Sequence, residues 1–185
     1  MKSFESELPA RYGEADRGTD ALSLLTEQHD GVRQLFVDHA ALVQSHADAD
    51  RKRTVVALLC RKLAVHTRLE EEIFYPAARD ALDDPAITQH GLAEHERMKE
   101  LVEELWNTRA ADRRHDVLVD ALRSAAEKHF DAEEAELFPR TLDSSMNLHE
   151  VAGHLRARRE QFLAGREGEA AVPVQPELLA SADLG

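Results

Sequence analysis

His66-Thr67-Arg68-Leu69-Glu70-Glu71-Glu72-Ile73-Phe74-Tyr75-Pro76 is a helical stretch in which polar residues interrupt the apolar stripe. Leu59, Leu63, His66, Glu70 and Ile73 follow a 4-3-4-3 spacing, so the imidazole and the carboxylate fall on the face a helix normally buries. The stretch occurs twice. His129-Phe130-Asp131-Ala132-Glu133-Glu134-Ala135-Glu136-Leu137-Phe138-Pro139 aligns with it without gaps at an offset of 63 residues. There Leu118, Leu122, Ala125 or Ala126, His129, Glu133 and Leu137 keep the same rhythm. A fainter echo, offset by 66 residues, sets His29-Asp-Gly-Val-Arg33 against His95-Glu-Arg-Met-Lys99. Two copies of a helix pair, each with a His on its first helix and His-x-x-x-Glu on its second, predict a pseudo-twofold bundle.

The rest of the chain fits that frame. Thr19 or Asp20 caps a first helix running to about His46, and Ala49-Asp50 opens a second. Pro76 and Pro139 remove a backbone donor and should kink or stop their helices. Asp83-Asp84-Pro85 reads as the start of a third helix, and Ala111-Asp112 as the start of a fourth. Asn147-Leu148-His149-Glu150 has capping-box spacing and opens a shorter fifth helix to about Leu163. The expectation is an all-α, antiparallel four-helix bundle over residues 19–146, with an additional C-terminal helix at 147–165. Flexible segments are expected at 1–18 and 166–185, the latter rich in Gly, Pro, Glu and Ala without a period.

Burying a carboxylate without a partner is costly, so two glutamates on core faces demand compensation. His29 lies between Leu25, Val32 and Phe36, and His95 between Leu92, Met98 and Val102, so four helices direct polar atoms inward. Metal cations supply the compensation. Four imidazoles and two bridging carboxylates give about eight coordination bonds, and a bridging oxygen brings them to about ten; two six-coordinate metals take about twelve. The shortfall leaves room for a small molecule. Mixed nitrogen and oxygen donors with open positions suit iron or manganese, whereas structural zinc prefers a closed tetrahedron.

Composition narrows the function classes. Charged residues make up 32% of the chain and aromatics 5%, with a net charge of -13, a mix that favours helices over sheets. The negative charge disfavours nucleic acid and anionic membranes. No stretch reaches the roughly 20 apolar residues that span a bilayer. The single cysteine, Cys60, and the absence of a readable signal segment in residues 1–20 point to a cytoplasmic protein.

With these motifs the sequence resembles the hemerythrin-like, or HHE cation-binding, family over about residues 20–142. The resemblance rests on His29, His66-x-x-x-Glu70-Glu71 with Phe-Tyr-Pro, Glu94-His95, and His129-x-x-x-Glu133-Glu134 with Leu-Phe-Pro. It implies a non-haem di-iron site, oxo- or hydroxo-bridged, with Glu70 and Glu133 as bridging carboxylates. His29 and His66 would serve one iron, and His95 and His129 the other. It also implies a small-molecule partner such as peroxide, O2 or NO. Two departures set the chain apart from oxygen carriers. These use two histidines four apart on the third helix, whereas His90 and His95 are five apart, about 140° out of phase. They also carry His-x4-Asp where this chain has His129-x3-Glu133. The expected function is therefore catalase-like peroxide decomposition or a related defence against oxidative or nitrosative stress, and the alternative is O2, NO or iron binding or sensing without turnover.

Other residues carry less. His149 and His154 are five apart and cannot share a face as the zinc-protease motif requires. His39, His46 and His115 are expected in solvent, and Cys60 in the core. Tyr75 is read as packing at a bundle end or as a hydroxyl behind the ligands. Glu71 and Glu134 are read either as hydrogen-bond acceptors for the ligands' outer nitrogens or as part of a wet face.

Overall fold

The computed structural model describes residues 18–164, so the flexible ends expected at 1–18 and 166–185 lie, but for Gly18, outside the described residues. Among the described residues there is helix and no strand. Asp20 caps α1 (Ala21–Gln44) by accepting from the Ser23 amide at 3.0 Å, and Asp48 caps α2 (Ala49–Leu69) by accepting from the Arg51 amide at 2.9 Å. Each satisfies one of the amides that a helix start leaves without an intrahelical partner.

Of the two outcomes expected at the prolines, a kink or a stop, the stop does not occur: helix continues past both. Each is preceded by one wide π-helical turn, at Glu70–Phe74 and Glu133–Leu137. In these turns the Tyr75 amide donates to Glu70 O and the Phe138 amide to Glu133 O, five residues back. The widened turn spreads the carbonyls against which a proline ring would otherwise clash. The axis then continues into α3 (Tyr75–Leu82) and, in the second copy, α6 (Phe138–Leu142). Both wide turns begin at the core glutamates, so the proline pair and the glutamate pair are features of one local geometry.

The third long helix does not start at Asp83. Asp83 adopts a left-handed conformation (φ 48°, ψ 38°) that terminates α3. Asp84 spends its carboxylate on the Ala86 amide (3.1 Å) and on Arg140 (3.1 Å). The chain turns until α4 (Gln89–Trp106) begins. Then α5 (Arg113–Ala132) starts after Asp112 and α7 (Leu148–Leu163) after Asn147. Asn147 accepts from the Glu150 amide at 3.2 Å and donates to its carboxylate at 3.1 Å, as the capping-box spacing predicts.

Helices α1, α2, α4 and α5 form the four-helix bundle. Its core is two apolar layers with a polar layer between them. One layer contains Leu35, Leu59, Leu63, Met98, Leu122 and Phe130; the other contains Leu24, Leu69, Phe74, Phe138, Ala152 and Leu155. The second layer is closed by α7. Its Phe162 lies between the guanidinium groups of Arg68 and Arg158, each 4.4 Å from the ring centre. No helix among the described residues is long and apolar enough to cross a membrane.

Candidate metal centre

The six residues singled out from the sequence meet in the polar layer. His29 comes from α1, His66 from the last turn of α2, His95 from α4 and His129 from the last turn of α5; Glu70 and Glu133 open the two wide turns. All six are buried, Glu133 being the most exposed at 4%. Glu70 lies at the centre. Its Oε1 is 3.2 Å from His66 Nε2 and 3.9 Å from His29 Nε2. Its Oε2 is 3.2 Å from His95 Nε2 and 3.6 Å from His129 Nε2. Glu133 places Oε2 between His29 (3.4 Å) and His129 (3.7 Å). The donors fall into two groups that share Glu70: His29, His66, Glu70 and Glu133, and Glu70, His95 and His129.

Every imidazole is held from behind. Glu134 accepts from His29 Nδ1 at 2.7 Å, Glu71 from His95 Nδ1 at 2.8 Å, Glu94 from His129 Nδ1 at 3.2 Å, and Gln28 from His66 Nδ1 at 3.0 Å. Protonation at Nδ1 leaves the Nε2 lone pair of a neutral ring facing inward, the tautomer a ligating histidine needs. The acceptors are held in turn. Arg33 grips both oxygens of Glu134 at 2.9 and 3.2 Å, Lys99 holds Glu71 at 3.1 Å and Lys128 holds Glu94 at 3.2 Å. Glu71 and Glu134 are thus acceptors for outer nitrogens, the first of the two readings left open by the sequence. Their partners sit on other helices, where spacing along one helix could not reveal them. The 66-residue echo now has a physical meaning: it pairs His29 with His95, Gln28 with Glu94, and Arg33 with Lys99.

The inner atoms are a different case. His29 Nε2, His66 Nε2, both oxygens of Glu70 and Glu133 Oε2 are buried without a hydrogen-bond partner. At about 1–3 kcal/mol for each unsatisfied buried group, five of them cost on the order of 5–15 kcal/mol, which rivals the whole stability of a domain. Without a cation, protons partly compensate. Burial would depress the His29 and His95 imidazoles, but Glu133 and Glu70 beside His29, and Glu70 and Glu71 beside His95, outweigh it and raise each to about 9. His66 is held well below its usual value by burial. Burial alone would raise Glu70, yet the surrounding imidazoles keep its carboxyl well below the usual range; burial and the nearby Glu70 raise Glu133.

Tyr75 is the residue whose position the sequence understated. Its hydroxyl donates to Glu133 Oε1 at 2.8 Å and lies 3.3 Å from His95 Nε2. Gly91 makes room for it, because a Cβ at that position would sit 2.4 Å from the Tyr75 hydroxyl. Tyr75 stacks on His95 (centroids 5.4 Å apart) as its repeat partner Phe138 stacks on His29 (5.8 Å), so the two halves differ by one phenolic oxygen. They differ again at Thr67 and Phe130. Phe130 stacks on His29 at 4.0 Å and fills its side, whereas Thr67 lines a cavity of about 290 Å³ beside His95, together with Cys60, Leu63, Met98 and Trp106. A smaller pocket of about 70 Å³ opens on the other side, lined by Tyr75, His90, Glu94 and Glu133. His90 is largely exposed and pairs with Glu94 at 3.0 Å. Two other readings of histidines change: His39 and His115 are buried rather than in solvent, because neighbouring helices cover them, while His46, His149 and His154 are exposed.

The family profile described as Hemerythrin HHE cation binding domain matches residues 20–141. The chain therefore belongs to the hemerythrin HHE cation-binding family. No protein with a curated description matches it. A crystal structure of a hemerythrin HHE cation binding domain-containing protein from Mycobacterium kansasii has the same fold. It is 21% identical, with a TM-score of 0.67, covering 82% of this chain and 92% of the other.

His29 and His95 are raised in the folded protein, so in metal-free protein the stability they contribute is fully present below about pH 6.5 and is lost as pH rises through about 9. The melting temperature of metal-free protein should fall across that window, while metal-loaded protein, whose cations replace those protons, does not follow it. A metal-free melting curve that is flat or rises there contradicts the account. Gly91→Ala should displace the Tyr75 hydroxyl at an overpacking cost of roughly 1–3 kcal/mol, measurable by urea unfolding; Gly91→Ala in a Tyr75→Phe background should cost less.

Proposed function

We propose that the protein is a di-iron protein of the cytoplasm that acts on a small oxidant, with hydrogen peroxide decomposition in defence against oxidative stress as the activity. The observation that carries the metal reading is the convergence of five buried donor atoms without a hydrogen-bond partner, from His29, His66, Glu70 and Glu133. His29 and His66 would hold one iron, and His95 and His129 the other. Glu70 and Glu133, whose carboxylates lie among both groups of imidazoles, would complete the ligand set. When bound, two irons supply redox capacity and Lewis acidity for turning two molecules of peroxide into one of oxygen and two of water.

The remaining work falls to the chain's own groups. The carboxylates behind His29, His95 and His129 orient the rings and raise their basicity. Tyr75 keeps its proton, because burial and the carboxylates of Glu70 and Glu133 push the phenol far above its usual value. It is a fixed hydrogen-bond donor beside the smaller pocket, suited to orienting a polar molecule the size of peroxide. Cys60 offers no competing thiolate, since burial pushes it up to about 12.

The second reading is binding or sensing of O2 or NO. The apolar cavity beside His95 favours it, because apolar walls suit an uncharged diatomic gas better than peroxide.

Protein as isolated should carry close to two irons per chain, and Glu70→Ala should lose both, read by elemental analysis with circular dichroism as the folding control. Iron-free, fully folded wild-type protein sinks the proposal. Thr67→Phe should close the apolar cavity. Under the peroxide reading, oxygen evolution persists in that variant; under the gas-binding reading, NO association slows and wild-type protein evolves no oxygen from peroxide.

A further inference from the structure

A second group of ligating side chains is buried at the far end of the bundle. His39 lies ten residues beyond His29, so about 15 Å along α1, and His115 lies fourteen residues before His129, about 21 Å along α5 at 1.5 Å per residue. His39 and His115 are each only 4% exposed. His39 Nε2 and His115 Nδ1 have no hydrogen-bond partner. Asp116, next to His115 in the first turn of α5, places Oδ1 3.4 Å from His39 Nε2. One donor atom from each of the three residues lies within 4.8 Å of the others. Two donors about 2.0 Å from a tetrahedral ion are about 3.3 Å apart, so the His39–Asp116 separation already matches one edge of such a site.

We propose that His39, His115 and Asp116 bind one divalent cation of the zinc class, with water in the fourth position, tying α1 to the start of α5. The donor set selects the ion. Two imidazoles and one carboxylate suit zinc and its transition-metal neighbours, whereas calcium and magnesium take oxygen ligands. Asp116 is the open side: its side chain is 26% exposed, against 5% for His39, so an ion enters from solvent past the carboxylate. The ammonium of Lys52, on α2, now contacts both Asp116 oxygens at 3.0 Å. It supplies the positive charge in the ion's absence and is the group the ion must displace. This makes the site weaker than the central one and gives it a directional test. It does not depend on which metal the central site holds.

The experiment adds zinc to full-length protein carrying the metals with which it is isolated, and counts all metals after removal of free zinc. One additional zinc per chain is expected, without loss of the original metal, together with a rise in melting temperature. Asp116→Asn and His39→Ala should each lose that zinc and the rise, while Lys52→Met should bind it more tightly. Should His39→Ala fail to fold, Asp116→Asn and Lys52→Met decide the matter at a surface-accessible carboxylate and its partner. The proposal is overturned by any of three results: wild-type protein takes up no extra zinc, zinc enters only as the original metal leaves, or uptake is unchanged in Asp116→Asn.

Discussion

Two glutamate carboxylates and four imidazoles share the centre of a helical bundle whose layers above and below are leucine, phenylalanine and methionine. Donor atoms on four of these six residues have no hydrogen-bond partner, and that constraint governs the rest of the structure. A low-dielectric core does not tolerate such a group unless positive charge sits in its middle. In the metal-free state protons supply part of that charge, which is why His29 and His95 are raised while Glu70 remains ionised. A cation supplies it more completely, since it satisfies both oxygens of Glu70 and the inward nitrogens together.

The surrounding structure keeps those inner atoms aimed. The triads His29–Glu134–Arg33 and His95–Glu71–Lys99 are the same device used twice, each crossing between helices. The wide turns that begin at Glu70 and Glu133 give each carboxylate its place, and the prolines that follow fit only where the turn is widened. The two halves are nevertheless unequal. Tyr75 in place of Phe138 adds one hydroxyl, and Thr67 in place of Phe130 leaves a cavity beside His95, whereas Phe130 itself stacks on His29. Near-symmetric scaffolding therefore presents an asymmetric surface to a small molecule.

Much of this was legible in the sequence because it depends on spacing within one helix. The interrupted stripes at His66/Glu70 and His129/Glu133 and the caps at Asp20 and Asn147 are local signals, and so is the bundle they imply. What stayed hidden depends on contacts between helices. The burial of His39 and His115 is set by covering helices. The tasks of Glu71, Glu94 and Glu134 are set by rings on other helices, and the reach of Tyr75 by a glycine on α4. Asp83-Asp84-Pro85 misled because the same residues that open a helix also make a turn, and here Asp84 is drawn to Ala86 and Arg140.

Under the proposed function, the orphaned donors hold two cations with Glu70 between them. Anomalous diffraction from crystals of the protein as isolated, recorded on both sides of the iron absorption edge, tests it most directly. Two peaks are predicted, one between His29 and His66 and one between His95 and His129, each beside a different oxygen of Glu70. A single peak, or none with the six side chains in place, would contradict it.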